Sequence, residues 1–382
     1  MDFNLSADQQ EAYADALRFA KAQLQGDVVA RDRDHVFPAD LWKKCGTRRI
    51  QGLPVPEALG GRGLDPLTCT LVLEALGNGC CDAGLCFSLG AHVATASVPL
   101  WKFGTPEQQA RYLRGLCDGS IVGVGALTEP GAGSDAAAIA STAKPDGKGY
   151  VLAGTKRYIS DAAIADVIVV YAMTDPQKGF HGGMTAFLID TDRPGFRVTR
   201  TFSMMGLRTA PIGEIVLDDA RVSADAVLGG VGGGATVFQT AMDWERVFLM
   251  ASQIGAMQRV LDRSIQHART RKQFGQAIGK FQAVAHRLVD LKVNLEAARL
   301  LVYRAATRLD KSKAVSLDAA MAKLFASEAA VETALDAIRT HGASGYVVDN
   351  ELERALRDAV GSTIYSGTSD IQRNIIARWL GM

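Results

Sequence analysis

The sequence predicts a mainly α-helical protein with one central β domain, an antiparallel sheet or barrel, in the order helical, β, helical. Three observations carry that reading. Residues 1–120 and 230–382 repeat apolar side chains at helical spacing, whereas 121–229 breaks into short strand-like runs. Those runs follow one another without intervening helices, which argues against a doubly wound parallel sheet. At 382 residues the chain is too long for one ordinary hydrophobic core, so the zones 1–120, 121–229 and 230–382 read as three domains.

In the first zone, turn signals stand at PEALGGRGLDP (56–66) and FGTPEQQ (103–109). A helix is predicted over 69–77. Pro106 is placed to open another over 107–116, because its missing N–H costs nothing in a first turn. Six cysteines (Cys45, Cys69, Cys80, Cys81, Cys86, Cys117) form no CxxC pair and have no histidine cluster beside them. They read as small buried thiols in a reducing compartment, and no metal site is expected. In the second zone, GYVLAGTKRYIS (149–160) reads as a hairpin turning near Ala153-Gly154. ADVIVVYAM (165–173), MTAFLID (184–190), GFRVTR (195–200) and EIVLDDARV (214–222) follow as strands. GGVGGGATVF (229–238) echoes a dinucleotide fingerprint, but no βαβ unit surrounds it and no ribose-binding acid follows. It reads as a flexible joint. In the third zone Leu288, Leu291, Leu295, Ala298, Val302, Ala305 and Leu309 make one apolar stripe in steps of three and four. Long helices of that kind pack as bundles.

Bulk charge excludes some functions. A formal net charge of +1 gives no basic field, so nucleic acid is not an expected partner. The start, MDFNLSADQQEAYADAL, lacks the basic and apolar regions of a signal peptide. No run of 18 apolar residues free of charge is read in the chain, so no membrane-spanning helix is expected. A soluble, cytoplasmic protein is the expectation.

Three motifs carry candidate chemistry. ALTEPGAGSD (126–135) has two glycines and a proline among small residues, which suit a loop whose N–H groups converge on an anion. Thr128 and Ser134 add hydroxyls at its ends; an ordinary surface loop has the same composition. ARTRKQFGQAIGKFQAV (268–284) places Arg269, Arg271 and Lys272 before Phe274-Gly275, between two helical stretches. In IYSGTSDIQRNIIARWL (364–380), Gly367 breaks the chain, Thr368 or Ser369 is a helix N-cap, and Asp370 suits the first turn. Ile371, Ile375, Ile376 and Trp379 mark one face expected to be buried. The helix start is suited to an anion or a carbonyl oxygen, although capping alone explains it equally.

In this order and on this layout, the motifs resemble the acyl-CoA dehydrogenase family over essentially the whole chain. The resemblance implies a C-terminal four-helix bundle behind the β domain, and FAD shared between subunits of a homo-oligomer, typically a tetramer. It implies that Leu127 and Thr128 contact the flavin and that Ser134 lies near the pyrophosphate and substrate. KRYIS (156–160) matches the family's strand beside the isoalloxazine. Tyr158 stands where Trp is common, and Ser160 replaces the usual Thr, keeping the hydroxyl that bonds flavin N5. Arg271 and Phe274, with Arg339, Gly342 and Ala343 of RTHGASGY (339–346), would reach the neighbouring subunit's FAD. Arg339 replaces the usual Gln with a cation able to meet a phosphate. Thr368 and Asp370 would complete the cofactor site.

One departure matters most. The family's commonest catalytic carboxylate precedes the Gly-Thr of the last motif, and here that residue is Ser366. A serine without an adjacent base does not remove a Cα proton efficiently. TAMDWERVFLMASQIGAM (240–257) reads as the start of a helix. Its Glu245 matches the alternative base of isovaleryl-CoA dehydrogenase relatives, which carry a similar D-x-E-R run. The apolar neighbours of Glu245 would raise its pKa toward neutrality; the bland alternative is a first-turn residue paired with Arg246 or the helix dipole. Asp243, Arg246 and Ser366, with Ser134, are the implied substrate contacts. The family polarises the thioester carbonyl with a backbone N–H at position 366 and a ribityl hydroxyl of FAD, and passes the Cβ hydride to the flavin. The MDFN start, the DWER helix and SGTSD further resemble aminoacyl dehydrogenases of natural-product pathways, which act on prolyl groups tethered to a peptidyl carrier protein. A short- or branched-chain acyl-CoA dehydrogenase is the alternative. A non-catalytic flavin-binding assembly protein and a flavin-dependent oxygenase are more distant ones. The sequence leaves the electron acceptor open between an electron-transfer flavoprotein and oxygen. His286, Trp42 and Trp101 read as packing or surface residues, and His92 as a possible pocket lining.

Overall fold

The computed structural model describes residues 4–309, 311–312 and 314–382; Met1–Phe3 of the MDFN start lie outside the described residues. The first part is helical: α1 (Ala7–Gln23), α2 (Val28–Asp34), α3 (Ala39–Thr47), α4 (Pro66–Gly79), α5 (Ala83–His92), α6 (Val98–Phe103) and α7 (Pro106–Asp118). The helix predicted over 69–77 is α4, longer at both ends. Asp65 accepts from the N–H groups of Leu67 and Thr68, and Pro66 fills the first turn. Pro106 opens α7, with Thr105 and Gln108 closing a reciprocal capping box. The membrane reading needs one correction: Ala83–Phe103 is long and apolar enough to cross a bilayer. It is instead a core element, interrupted by a π-helical turn at Val93–Ser97, and 94% of its most apolar window is buried. His92 lies within it, bonded to Leu116 O and the Gly123 N–H, so it is a satisfied core histidine.

The β domain comprises β1 (Gly123–Ala126), β2 (Thr142–Asp146), β3 (Gly149–Ser160), β4 (Val167–Met173), a short α8 (Gly179–Gly183), β5 (Met184–Asp190), β6 (Phe196–Phe202), β7 (Ile212–Ser223) and β8 (Val227–Leu228). The strand order is β6-β7-β3-β2-β4-β5-β8, with β1 added on β4. The expected antiparallel sheet or barrel is thus corrected. β1 runs parallel to β4 and β2 meets β4 in parallel at Thr142 and Met173, so the sheet is mixed, and no barrel closes. Parallel partners are joined by long crossovers rather than tight turns, so no local composition marks them. A second correction concerns 149–160, which is one bulged strand rather than a hairpin. The hairpin joins β2 to β3 and turns through Gly147 at φ +58. A Cβ on Gly154 would fall 2.2 Å from Ser141 Oγ; close approach at a bulge, not a turn, calls for that glycine. In the glycine-rich joint after β8, Gly229, Gly230 and Val231 are exposed, and the Gly232 N–H donates to Thr185 Oγ1 at 2.8 Å.

The last part holds α9 (Gly234–Thr270), a small hairpin of β9 (Lys272–Gln273) and β10 (Gln276–Ala277), α10 (Gln282–Arg308), α11 (Val315–His341), α12 (Glu351–Ser362) and α13 (Ser369–Trp379). Every member of the predicted 288–309 stripe is buried. α9 packs against α10 and α11 and, on another side, against α4. That last contact brings backbones together: a Cβ on Gly255 would meet Glu74 O at 2.0 Å, and one on Gly77 would meet Ser252 O at 2.0 Å. Gly255→Ala is therefore expected to lower stability by about 1–3 kcal/mol, because two helices must separate. A fall in the urea midpoint checks it; an unchanged midpoint would show that the contact yields freely.

Candidate active site

Glu245 sits about three turns into α9, not in its first turn, where the bland alternative would put it. Neither an end cap nor the helix dipole accounts for it. Trp244 beside it is buried edge-on against Phe248 and Trp101, so the local environment is apolar. The residue is 8% exposed. Burial pushes its pKa up to about 7, opposed by the Ser366 hydroxyl, Arg246 and Lys323. Ser366 Oγ is buried and completes no hydrogen bond among the described residues; its interaction with Glu245 falls short of a formed bond.

The chain opposite Glu245 is a tight left-handed turn, Ser366 at φ +56 and Gly367 at φ +89. Three contacts fix it. Arg246 Nε donates to Ser366 O at 3.2 Å, and Gln372 Nε2 donates to Ser366 O and Gly367 O at 3.1 and 2.8 Å. Arg246 is held in turn by Asp243 at 3.4 Å, whose other partners are Gln239 and Ser316. Asp243 and Arg246 are thus both buried and tied to the position-366 turn. A cavity of about 340 Å³ opens beside them, lined by Thr240, Asp243, Trp244, Leu309, Lys311, Ser312 and Val315. A separate void of only about 10 Å³ lies among Cys86, Phe87, Gln253 and Tyr365.

The 126–135 loop is anchored by a buried ion pair that the sequence reading missed. Lys156 Nζ donates to Glu129 at 2.7 Å and to Leu127 O at 3.0 Å. Glu129 also accepts from the N–H groups of Ala140 and Ser141. The Arg157 N–H donates to Thr128 O at 2.8 Å. Leu127 and Thr128 are therefore fastened to the KRYIS strand, with Ser160 half-buried and Tyr158 exposed at φ +58. Ser134 is exposed at the far end of the loop. The opposite charges of Glu129 and Lys156, one in each motif, were the available sign of this pairing.

The remaining predicted residues form a surface group. Arg271 follows α9, and Phe274, 92% exposed, tips the β9–β10 hairpin. Arg339 pairs with Asp336, and Gly342 and Ala343 end α11 in the open. Stacked rings of His267 and His341, 4.1 Å apart, hold the ends of α9 and α11 together. Along α9 this group lies about 38 Å from Glu245 at 1.5 Å per residue. Thr368 rather than Ser369 is the N-cap of α13; Ser369 donates to Glu328 instead. Asp370 is exposed beside Arg373. The face of α13 expected to be buried is only half-covered, with Trp379 48% exposed. His286 is a surface residue.

Comparison with known proteins covers nearly the whole chain. Family models match in order: the acyl-CoA dehydrogenase N-terminal domain over residues 6–120, its middle domain over 125–220 and its C-terminal domain over 232–381. An L-prolyl-[peptidyl-carrier protein] dehydrogenase from Serratia sp. is 41% identical over 382 residues, covering 100% of this chain and 99% of that protein. Two solved structures superpose with a TM-score of 0.97. The prolyl acyl carrier protein oxidase AnaB is 43% identical, over 99% of this chain and 100% of that one. PigA with FAD and proline is 41% identical, over 100% and 99%. The chain belongs to the acyl-CoA dehydrogenase family.

Proposed function

We propose that this protein is an FAD-dependent dehydrogenase of aminoacyl thioesters, oxidising an L-prolyl group on a peptidyl carrier protein toward a pyrrole in natural-product biosynthesis. The observation that carries the chemistry is Glu245, a buried carboxyl poised near neutrality against the turn where the family's usual acid is Ser366. The substrate follows from full-length similarity to proteins named for prolyl carriers.

The residues present fit FAD. A Cβ on Gly131 or Gly133 would meet nothing within 4 Å, which leaves the loop backbone accessible to a phosphate. Thr128 and Ser160 are the hydroxyls for the flavin, with Leu127 and Tyr158 beside them; Ser134, Thr368 and Asp370 are the polar groups around it. When bound, FAD supplies the hydride acceptor that no side chain provides. The protein's own part is acid–base work. Glu245 takes the Cα proton on a carboxylate oxygen. The turn at Ser366, immobilised by Arg246 and Gln372, presents fixed backbone to the thioester carbonyl. Asp243, which holds Arg246, borders the 340 Å³ cavity that would receive the pantetheine arm. The distance of Arg271, Phe274, Arg339, Gly342 and Ala343 from Glu245 supports their serving a neighbouring subunit's FAD, hence a homo-oligomer, with a tetramer proposed from the family. The divisions 1–120, 121–229 and 230–382 stand as the proposed domains, and the cytoplasm as the proposed location.

The test is anaerobic mixing of the FAD-loaded enzyme with L-prolyl-loaded peptidyl carrier protein, butyryl-CoA and isovaleryl-CoA in turn. Flavin absorbance is expected to bleach with the prolyl carrier at least about 100-fold faster than with either CoA ester, a discrimination of about 2.7 kcal/mol. Bleaching by the CoA esters alone would overturn the substrate and leave a short- or branched-chain acyl-CoA dehydrogenase.

A further inference from the structure

Lys323, on α11, is fully buried, yet its ammonium has no hydrogen-bond partner among the described residues. Burying an ammonium without hydrogen bonds is costly, and packing alone gives no reason for a cation there. α11 lies along α9, and the charges facing Lys323 are Arg246 and Glu245 from α9 and Glu328 from its own helix. Arg246 is engaged with Asp243 and Ser366 O, and Glu328 with the Ser369 hydroxyl. Glu328 is solvent-exposed, so Glu245 is the buried anion facing Lys323, and among the described residues its carboxyl forms no hydrogen bond. The other titratable groups that feel Glu245 are Tyr171 on β4 and Tyr365 ahead of α13, both held as neutral phenols by burial.

We propose that Lys323 is a positioning residue for the base, its ammonium holding Glu245 as the carboxylate that accepts a proton at each turnover. The proposal rests on the reading of Glu245 as the base. Its logic is local. When Glu245 gains a proton, the ammonium loses its counter-charge, so the pair favours releasing that proton before the next substrate. Burial lowers the Lys323 pKa to about 8, so its charge is present where Glu245 titrates, near 7.

Infrared titration of the FAD-loaded enzyme tests this directly, taking as the Glu245 signal the protonated-carboxyl band absent from E245Q. K323M removes the charge at similar length; K323R keeps it. K323M is expected to raise the midpoint by about one pH unit, a tenfold change in the carboxylate-to-acid ratio. The acidic limb of kcat/KM with L-prolyl carrier should move up with it, the two enzymes converging at high pH, while K323R leaves both in place. A purely structural lysine would instead lower the melting temperature and the rate at every pH with the midpoint unmoved, which overturns the proposal. Should K323M not fold, K323Q is read by the same midpoint. Full activity in E245Q would sink the base assignment separately, since the infrared shift is measured without turnover.

Discussion

E245Q is expected to fold, bind FAD and bleach about 10³-fold more slowly than wild type with a prolyl thioester, within the range that a general base contributes. Glutamine keeps the size of the side chain and removes the proton-accepting oxygen. Stability should change in the opposite direction. The carboxyl is held near pKa 7 by burial, above its unfolded value. Its favourable contribution to folding is therefore complete below the unfolded pKa and lost as pH rises through about 7. At pH 8 wild type carries a buried charge that E245Q lacks, so E245Q should melt at a higher temperature there and lose that advantage toward pH 5. A residue kept for packing would not give slower chemistry with a firmer fold. In wild type the same ionisation makes the bleaching rate rise about tenfold per pH unit below about 7 and level off above it. Stopped-flow traces across pH, with melting curves at pH 5 and 8, check all three. An E245Q rate within tenfold of wild type would remove Glu245 from the mechanism.

What the sequence disclosed and what it hid divide along physical lines. The 288–309 stripe, the Pro106 helix start and the loop chemistry at Gly131 and Gly367 were legible because each is set by residues a few positions apart. Glu245 drew attention through the D-x-E-R run it shares with isovaleryl-CoA dehydrogenase relatives, with Ser366 at the usual site, and its burial is what the structure adds. The parallel pairing of β1 with β4 was not, because it joins segments separated by two strands and depends on packing rather than on a turn. Gly154 misled because a bulge and a turn ask for the same residue. Lys156, Glu129 and Lys323 were passed over because charge alone does not reveal burial: Lys156 and Lys323 are inside, whereas Arg271 and Arg339 are outside, and nothing near them in the chain says which. The half-covered face of α13 with Trp379 belongs to the same class, since periodicity marks an apolar face without saying what covers it.

K156M should have the largest effect on cofactor retention. Lys156 is wholly buried, and burial lowers its pKa to about 8 even against the pull of Glu129. Burial also raises Glu129, but the charge and hydrogen bond of Lys156, with donors at Ser141 and Ala140, outweigh it and hold the carboxyl below its usual range. The pair is thus fully formed at neutral pH. Removing only the cation leaves an uncompensated buried carboxylate, at a cost of about 3–5 kcal/mol. Among the described residues, two of the three bonds fastening the 126–135 loop to β3 end on Lys156, through Glu129 and Leu127 O; the third is the Arg157 N–H to Thr128 O. The loop that offers Leu127 and Thr128 to the flavin should therefore loosen, and K156M should purify largely colourless with a lowered melting temperature. The double variant K156M/E129Q, which buries no charge, should recover much of the melting temperature. It should recover little of the FAD, because glutamine cannot restore the bond to Leu127 O. The ratio of flavin to protein absorbance and a thermal melt on each variant decide it. K156M carrying a full complement of FAD would show that the loop holds its shape without the pair.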